Sequence, residues 1–175
     1  MKNTRKLVFA AAIGALYAVL TMALSPISYG PLQFRVSEVL CILPYFMPFT
    51  AWGLFFGCVI ANLASAAGIL DVVFGSLATL FACLCMAAFG KRDSKVNRIF
   101  ACLMPVLWNG VVVGITLTIA IAGLNPVKEF GAFCIYAGQV ALGELGVMFV
   151  VGLPLMSYLP KQNFFAEFRS KFLDN

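Results

Sequence analysis

The sequence has 175 residues, 62% of them hydrophobic and only 11% charged, with a formal net charge of +5 and mean hydropathy +0.98. A soluble domain is roughly half apolar and about a quarter charged. So few charges cannot cover a globule of this size, which excludes a soluble monomer and points to a small integral membrane protein of one domain. Histidine is absent, which removes the commonest metal ligand and general base.

Backbone polar groups in lipid are satisfied only in helices or closed barrels. Long uncharged runs without period-2 alternation favour helices, so an all-α polytopic fold is expected. The first span is read over residues 7–24, after Lys2, Arg5 and Lys6. That basic start and Ala23-Leu24-Ser25 also suit a signal peptide, but Pro26 directly after the site argues against cleavage. No charge falls between Val39 and Leu70, a stretch well beyond the ~20 residues of one span. Two short spans, 37–48 and 50–66, are expected there, with a turn near Pro44 and Pro48. Spans over 70–89, 98–122 and 131–158 make six transmembrane helices. This count keeps Lys2, Arg5 and Lys6, the loop from Lys91 to Arg98, and the tail beyond Pro160 on the cytoplasmic side, where basic residues collect. Both termini are then cytoplasmic. The tail, 161–175, sets Phe164, Phe165, Phe168 and Phe172 against Lys161, Arg169 and Lys171. It reads as an amphipathic helix on the membrane face, with a frayed terminus as the alternative.

An ionisable group within a span costs several kcal/mol and marks a functional site by default. In the six-span topology Arg35 and Glu38 lie at the outer mouth of the second span, and Asn62 lies in the outer half of the third. Asp71 opens the fourth span with Ser76 about one turn on; Asn109 is midway along the fifth. Gln139 and Glu144 occupy the outer half to the midpoint of the sixth. Every acid within or bordering a span is thus at or above the midplane, which describes a pocket open to the outside and closed below. Each residue also has a plainer reading. Arg35 and Glu38 can form a helix-end ion pair, Asp71 can cap its helix, and Asn62 and Asn109 can be interhelical glue. Glu144, in mid-span, is hardest to explain by packing. Carboxylates and side-chain amides together suit a nitrogen-rich solute with adjacent N–H donors or a cationic amine. Tyr29, Phe34 and Trp108 offer stacking surfaces or interfacial anchors.

On the first span Ala11 and Ala15 share one face, and Gly14 and Ala18 another; such small-residue faces admit a second helix, from this chain or from a partner. No G-x-x-x-x-G-K-[ST] motif is present, so the chain carries no P-loop ATPase of its own. The cysteines (Cys41, Cys58, Cys83, Cys85, Cys102, Cys134) fall within spans without a C-x-x-C pair and read as reduced, buried apolar residues. Nothing in the sequence asks for a metal, a cofactor or a nucleic acid, and no enzyme is expected.

The string Pro26-Ile27-Ser28-Tyr29-Gly30-Pro31-Leu32-Gln33-Phe34-Arg35-Val36-Ser37-Glu38 resembles the QueT family of queuosine-precursor transporters. So do Gly57 to Asn62, Leu70 to Leu80, Trp108-Asn109, Ala141 to Glu144 and Gly152 to Leu155, in matching order from about residue 4 to about 160. The resemblance implies the substrate-binding (S) component of an energy-coupling-factor (ECF) transporter in a bacterial plasma membrane. Its implied partners are a membrane coupling protein (T component) and two ATPase subunits, with Ala11 and Ala15 as the docking face. The implied ligand is a 7-deazaguanine: the aminomethyl base, the nitrile or queuine. Glu38, Asp71 and Glu144 would act as acceptors, Arg35 would orient the outer loop, and Asn62 and Asn109 would read the ring. A stand-alone proton-coupled transporter or channel, and a scaffold subunit without a ligand, are the alternatives.

Overall fold

The computed structural model describes residues 2–30 and 32–173. Pro31, within the string quoted above, and Asp174 and Asn175 of the tail lie outside the described residues. Among the described residues every regular element is helical and none is a strand.

Helix α1 covers Lys2–Ala23 and ends just before Pro26, which sits in the first turn of the short α2, Ser25–Ser28. A proline is tolerated there because the first-turn N–H has no helical partner to lose. A 3-10 helix, Val36–Ile42, runs directly into α3, Leu43–Phe46, and α4 follows over Thr50–Asn62. The expected turn falls at Met47–Phe49, beside Pro48. Pro44 does not break the chain, because it lies in the first turn of α3. Helix α4 ends at Asn62, short of the expected residue 66, and the chain turns through Gly68, whose φ of 61° favours glycine. A π-helical segment, Asp71–Gly75, leads into α5, Ser76–Phe89. Helix α6, Lys95–Ala120, is capped by Ser94, whose hydroxyl accepts from the Asn97 N–H at 3.0 Å. Helix α7, Phe130–Leu145, passes through a second π segment, Gly146–Gly152, into α8, Leu153–Tyr158; α9 spans Asn163–Leu173.

Four helical stretches are long and apolar enough to cross a membrane: Asn3–Ala23, Asp71–Phe89, Lys95–Ala120 and Phe130–Lys161. Val36–Phe46 and Thr50–Asn62 are apolar but shorter. Large apolar side chains stay exposed around the bundle, among them Leu7, Val19, Phe56, Ile60, Phe81 and Val150. Each would cost about 1.5–3 kcal/mol in water, so the surface is a lipid-facing one and the protein is a multi-pass membrane protein.

Helix α1 packs on α4, α4 on α5, α5 on α6, and α6 on α7. The 3-10 helix sits inside this ring and touches α1, α4, α5, α6 and the second π segment. The main core joins Tyr17, Ile42, Phe46, Leu54, Met86, Met148 and Met156. Phe165 of α9 belongs to that core, and Phe168 packs against it and on Phe9 at 5.1 Å between ring centroids. The tail's apolar face is therefore directed partly into the bundle. At the basic end, Asp93 of the α5–α6 loop accepts from Arg98 Nε at 2.8 Å, Arg98 Nη2 at 2.6 Å and the Tyr45 hydroxyl at 2.8 Å. The hydrogen bonds from Arg98, joined by that from Tyr45, hold the Asp93 carboxyl below its ordinary value of 3.8 against the opposing effect of burial.

Cysteine residues are free, and Cys41, Cys58, Cys83 and Cys102 are buried. Cys85 is only partly buried and Cys134 is exposed on α7, which corrects the reading of all six as buried.

Candidate solute-binding site

Most of the polar residues singled out in the sequence sit at helix ends or where helices are irregular. Arg35 immediately precedes the 3-10 helix and Glu38 lies in its first turn. Asp71 opens the first π segment, Ser76 begins α5, and Asn62 ends α4. Asn109 lies mid-way along α6 and Glu144 at the end of α7, just before the second π segment. Departures from α geometry free side chains and backbone groups from the regular ladder, and π turns recur at functional sites. Arg35, Glu38, Asn62, Asp71, Ser76, Asn109 and Glu144 are all buried, none more than 2% exposed.

Two linked pairs organise them. Arg35 Nη2 meets Asp71 Oδ2 at 3.2 Å. Asn62 Nδ2 donates to the Asp71 backbone carbonyl at 2.9 Å and to Ser76 Oγ at 3.3 Å, tying α4 to the start of the long stretch Asp71–Phe89. Opposite, Asn109 Nδ2 donates to Glu144 Oε1 at 2.8 Å, tying α6 to α7. Glu144 also lies within electrostatic reach of Glu38 and Arg35. Both asparagines thus spend their amide N–H groups between helices, as glue would.

Their other halves are unspent. Arg35 Nε, Asn62 Oδ1, Asp71 Oδ1, Asn109 Oδ1 and Glu144 Oε2 are buried and have no hydrogen-bond partner. An unsatisfied buried polar group costs about 1–3 kcal/mol, and native proteins seldom leave one. Here five fall on residues chosen from sequence alone, and they comprise one donor and four acceptors. Such a set suits a solute rich in N–H groups. Gly75 makes room for the Asp71 carboxylate: a Cβ there would collide with Asp71 Oδ1 and lie 3.1 Å from Asn62 Nδ2.

Two plainer readings are not what the side chains do. Arg35 pairs with Asp71 rather than with Glu38 three residues on, and Asp71 makes no capping bond, since the cap position is Leu70. Glu38 already accepts hydrogen bonds on both oxygens. Its Oε1 accepts from the Tyr17 hydroxyl and from Thr79 Oγ1 at 3.4 Å, and its Oε2 from Cys41 Sγ at 3.0 Å. Sequence reasoning missed Tyr17 and Thr79. The available signal was a phenol in the interior of the first span, where a hydroxyl needs a buried partner.

Beside this cluster, at the end of the bundle away from the basic loops, lies a cavity of ≈ 450 Å³. It is lined by Tyr29, Gln33, Ser65, Leu117, Tyr136 and Gln139 among others. Its size suits a small ring compound. Gln139 belongs to this cavity wall and not to the buried cluster. Tyr29 joins the two, because the Arg35 guanidinium lies over its ring at 5.7 Å. Trp108 is not in the wall; it stacks on the exposed Phe81 at 5.1 Å. The ring of Phe34 packs close to Gly146.

The model of the QueT transporter family matches residues 7–161. The chain belongs to the QueT transporter family. It is 33% identical over 169 residues to the "Queuosine precursor transporter QueT" of Lactococcus lactis subsp. cremoris (strain MG1363), a match that covers 91% of this chain and 95% of that protein. No solved structure matches the fold. The family and this relative are transporters, not enzymes.

In this QueT family member the small residues of α1 divide between two faces. Gly14 meets the backbone of Gly53, and Gly57 that of Gly14, at distances that leave no space for a Cβ on any of the three, so this face is sealed against α4. Ala11 and Ala15 are exposed. They floor a groove of ≈ 550 Å³ between α1 and α4, walled by Lys6, Phe49, Trp52, Phe56 and Ile60.

Proposed function

We propose that this chain is the substrate-binding component of an ECF-type transporter and captures a queuosine precursor, a 7-deazaguanine base, for import. The observation that carries the reading is the set of five buried, unpartnered polar atoms on Arg35, Asn62, Asp71, Asn109 and Glu144. Glu144 and Asp71 offer acceptors for the N–H edge of a guanine-like ring or for an attached amine. The amide oxygens of Asn62 and Asn109 extend that acceptor set, and the Arg35 Nε–H serves a ring acceptor. Ser76 steadies Asn62, and Gln139 with Tyr29 lines the approach. The name of the Lactococcus lactis relative supports the precursor as cargo.

Six spans with both termini in the cytoplasm complete the reading, in the plasma membrane of a bacterium. Val36–Phe46 is then a short span inside the ring and Thr50–Asn62 a short member of it. The basic loops support this orientation, and the cavity then opens outward. Transport energy comes from partners: a T component docking through the groove at Ala11 and Ala15, and two ATPase subunits bound to it. A groove of small residues lets a partner helix approach closely.

Calorimetric titration of the detergent-purified protein with 7-deazaguanines tests the site. Saturable binding is expected, and Glu144→Ala should weaken it by on the order of 10–100-fold, the equivalent of one unsatisfied group. Flat titrations with the aminomethyl base, the nitrile and queuine alike would overturn the reading. Ala15→Leu should leave binding intact while stopping uptake in cells. Full uptake in cells without the ATPase subunits would instead favour a stand-alone proton-coupled carrier.

A further inference from the structure

We propose that the Tyr17–Glu38 hydrogen bond is a joint between the groove helix α1 and the solute site, which makes Tyr17 a positioning residue for transport. The inference rests on the transport reading above and adds how the two ends of the device communicate.

Both Glu38 oxygens already hold hydrogen-bond donors. Three donors from three elements converge on them: Tyr17 from α1, Thr79 from α5 and Cys41 from the same 3-10 helix. Tyr17 is fully buried and makes a second contact, to Cys58 Sγ of α4 at 3.6 Å. One turn further along α1, Thr21 Oγ1 and Ser37 Oγ lie 2.6 Å apart. Helix α1 is therefore hung on the 3-10 helix by two adjacent side-chain bonds. Apart from the Tyr17–Cys58 contact, its seam with α4 runs through bare glycine backbone at Gly14, Gly53 and Gly57. The bonds at Glu38 and Ser37 are directional and the glycine seam is not, so the joint is the oriented attachment and the seam the smooth one.

Position supplies the rest. Ala15, exposed in the groove, is two residues before Tyr17 on α1. Arg35, which holds Asp71, is three residues before Glu38 and borders the same short helix. A partner that shifts α1 from the groove side thus moves the segment bearing Arg35 and disturbs the Arg35–Asp71 pair. A solute that engages that pair acts back on α1 through the same bonds. Coupling of this kind needs a continuous chain of packed contacts, and here each contact is named.

The test uses the full-length protein with two readouts: titration of the purified chain with the aminomethyl 7-deazaguanine, and uptake of the same compound by cells carrying the partner subunits. Tyr17→Phe should keep the dissociation constant within about threefold and the melting temperature close to wild type. Its maximal uptake rate should fall at least about tenfold at an unchanged half-saturating concentration, because only the step after capture is affected. Glu38→Gln keeps an acceptor for the Tyr17 hydroxyl and should retain more of the uptake rate than Glu38→Ala. Undiminished uptake by Tyr17→Phe would overturn the joint. So would a parallel loss of binding and melting temperature, which assigns Tyr17 to the fold alone. Weaker binding at an unchanged melting temperature would also overturn it, by making Tyr17 part of the solute site. A flat wild-type titration is a separate result: it removes the transport reading, and this inference with it.

Discussion

The Arg35–Asp71 and Arg98–Asp93 pairs use the same chemistry at opposite ends of the bundle, and they are finished differently. Arg98 grips Asp93 with two hydrogen bonds, Tyr45 adds a third, and the Asp93 side chain is 47% exposed. Arg35 reaches Asp71 through one contact at 3.2 Å, fully buried, with Nε and Oδ1 left over. A pair closed on itself fastens a loop. A buried pair left half open keeps hydrogen-bonding capacity unspent, since nothing in lipid supplies the missing bonds.

The contrast breaks most easily at Asp71. Asp71→Ala leaves a buried guanidinium without its counter-charge, a defect of about 3–5 kcal/mol, so a large drop in melting temperature together with lost solute binding is expected. A variant that melts like the wild type would mean the two pairs are alike. Gly75→Ala sharpens the comparison without removing a charge. Its new Cβ falls where Asp71 Oδ1 now lies, so binding should weaken by on the order of tenfold, about 1.4 kcal/mol, with a smaller effect on stability. An unchanged dissociation constant would show that Asp71 Oδ1 is not presented to the solute.

Asp93→Asn should be the mildest. The pair is partly exposed and worth about 1 kcal/mol or less. Its pH dependence has a definite sign. The Asp93 carboxyl is depressed below its ordinary 3.8 in the folded protein. Its contribution is therefore present in full above that value and is lost as pH falls through the lower, folded value. The melting temperatures of wild type and Asp93→Asn should differ at pH 7 and converge below pH ~3.8; a gap that persists or widens in acid would contradict the assignment.

Sequence reasoning picked out residues of the buried polar cluster because each is a polar group expected within or beside a span. Expected depth singled out Asp71, Asn109 and Glu144 as candidates. Their partners were not legible. Arg35 and Glu38 stand three apart, the spacing of an intrahelical pair, yet a 3-10 turn and a tertiary contact send Arg35 to Asp71 instead. The π segments at Asp71–Gly75 and Gly146–Gly152 were invisible for the same reason: tertiary packing accompanies them, the first against α4 and α6, the second against α6 and the central 3-10 helix. Ala11, Gly14, Ala15 and Ala18 make up one small-residue run in the sequence; only the position of α4 separates a sealed face from an open one. Amphipathicity gave the tail an apolar face without saying whether protein or lipid covers it, and Phe165 packs on protein.

The groove has one more property. The chain contains two tryptophans; Trp52 stands half exposed in the groove wall, while Trp108 is stacked on Phe81 elsewhere. Replacing Trp108 with Phe would leave a single indole at the seam where α1 meets α4. Its emission would then give an optical signal of whatever settles there, with no dye attached.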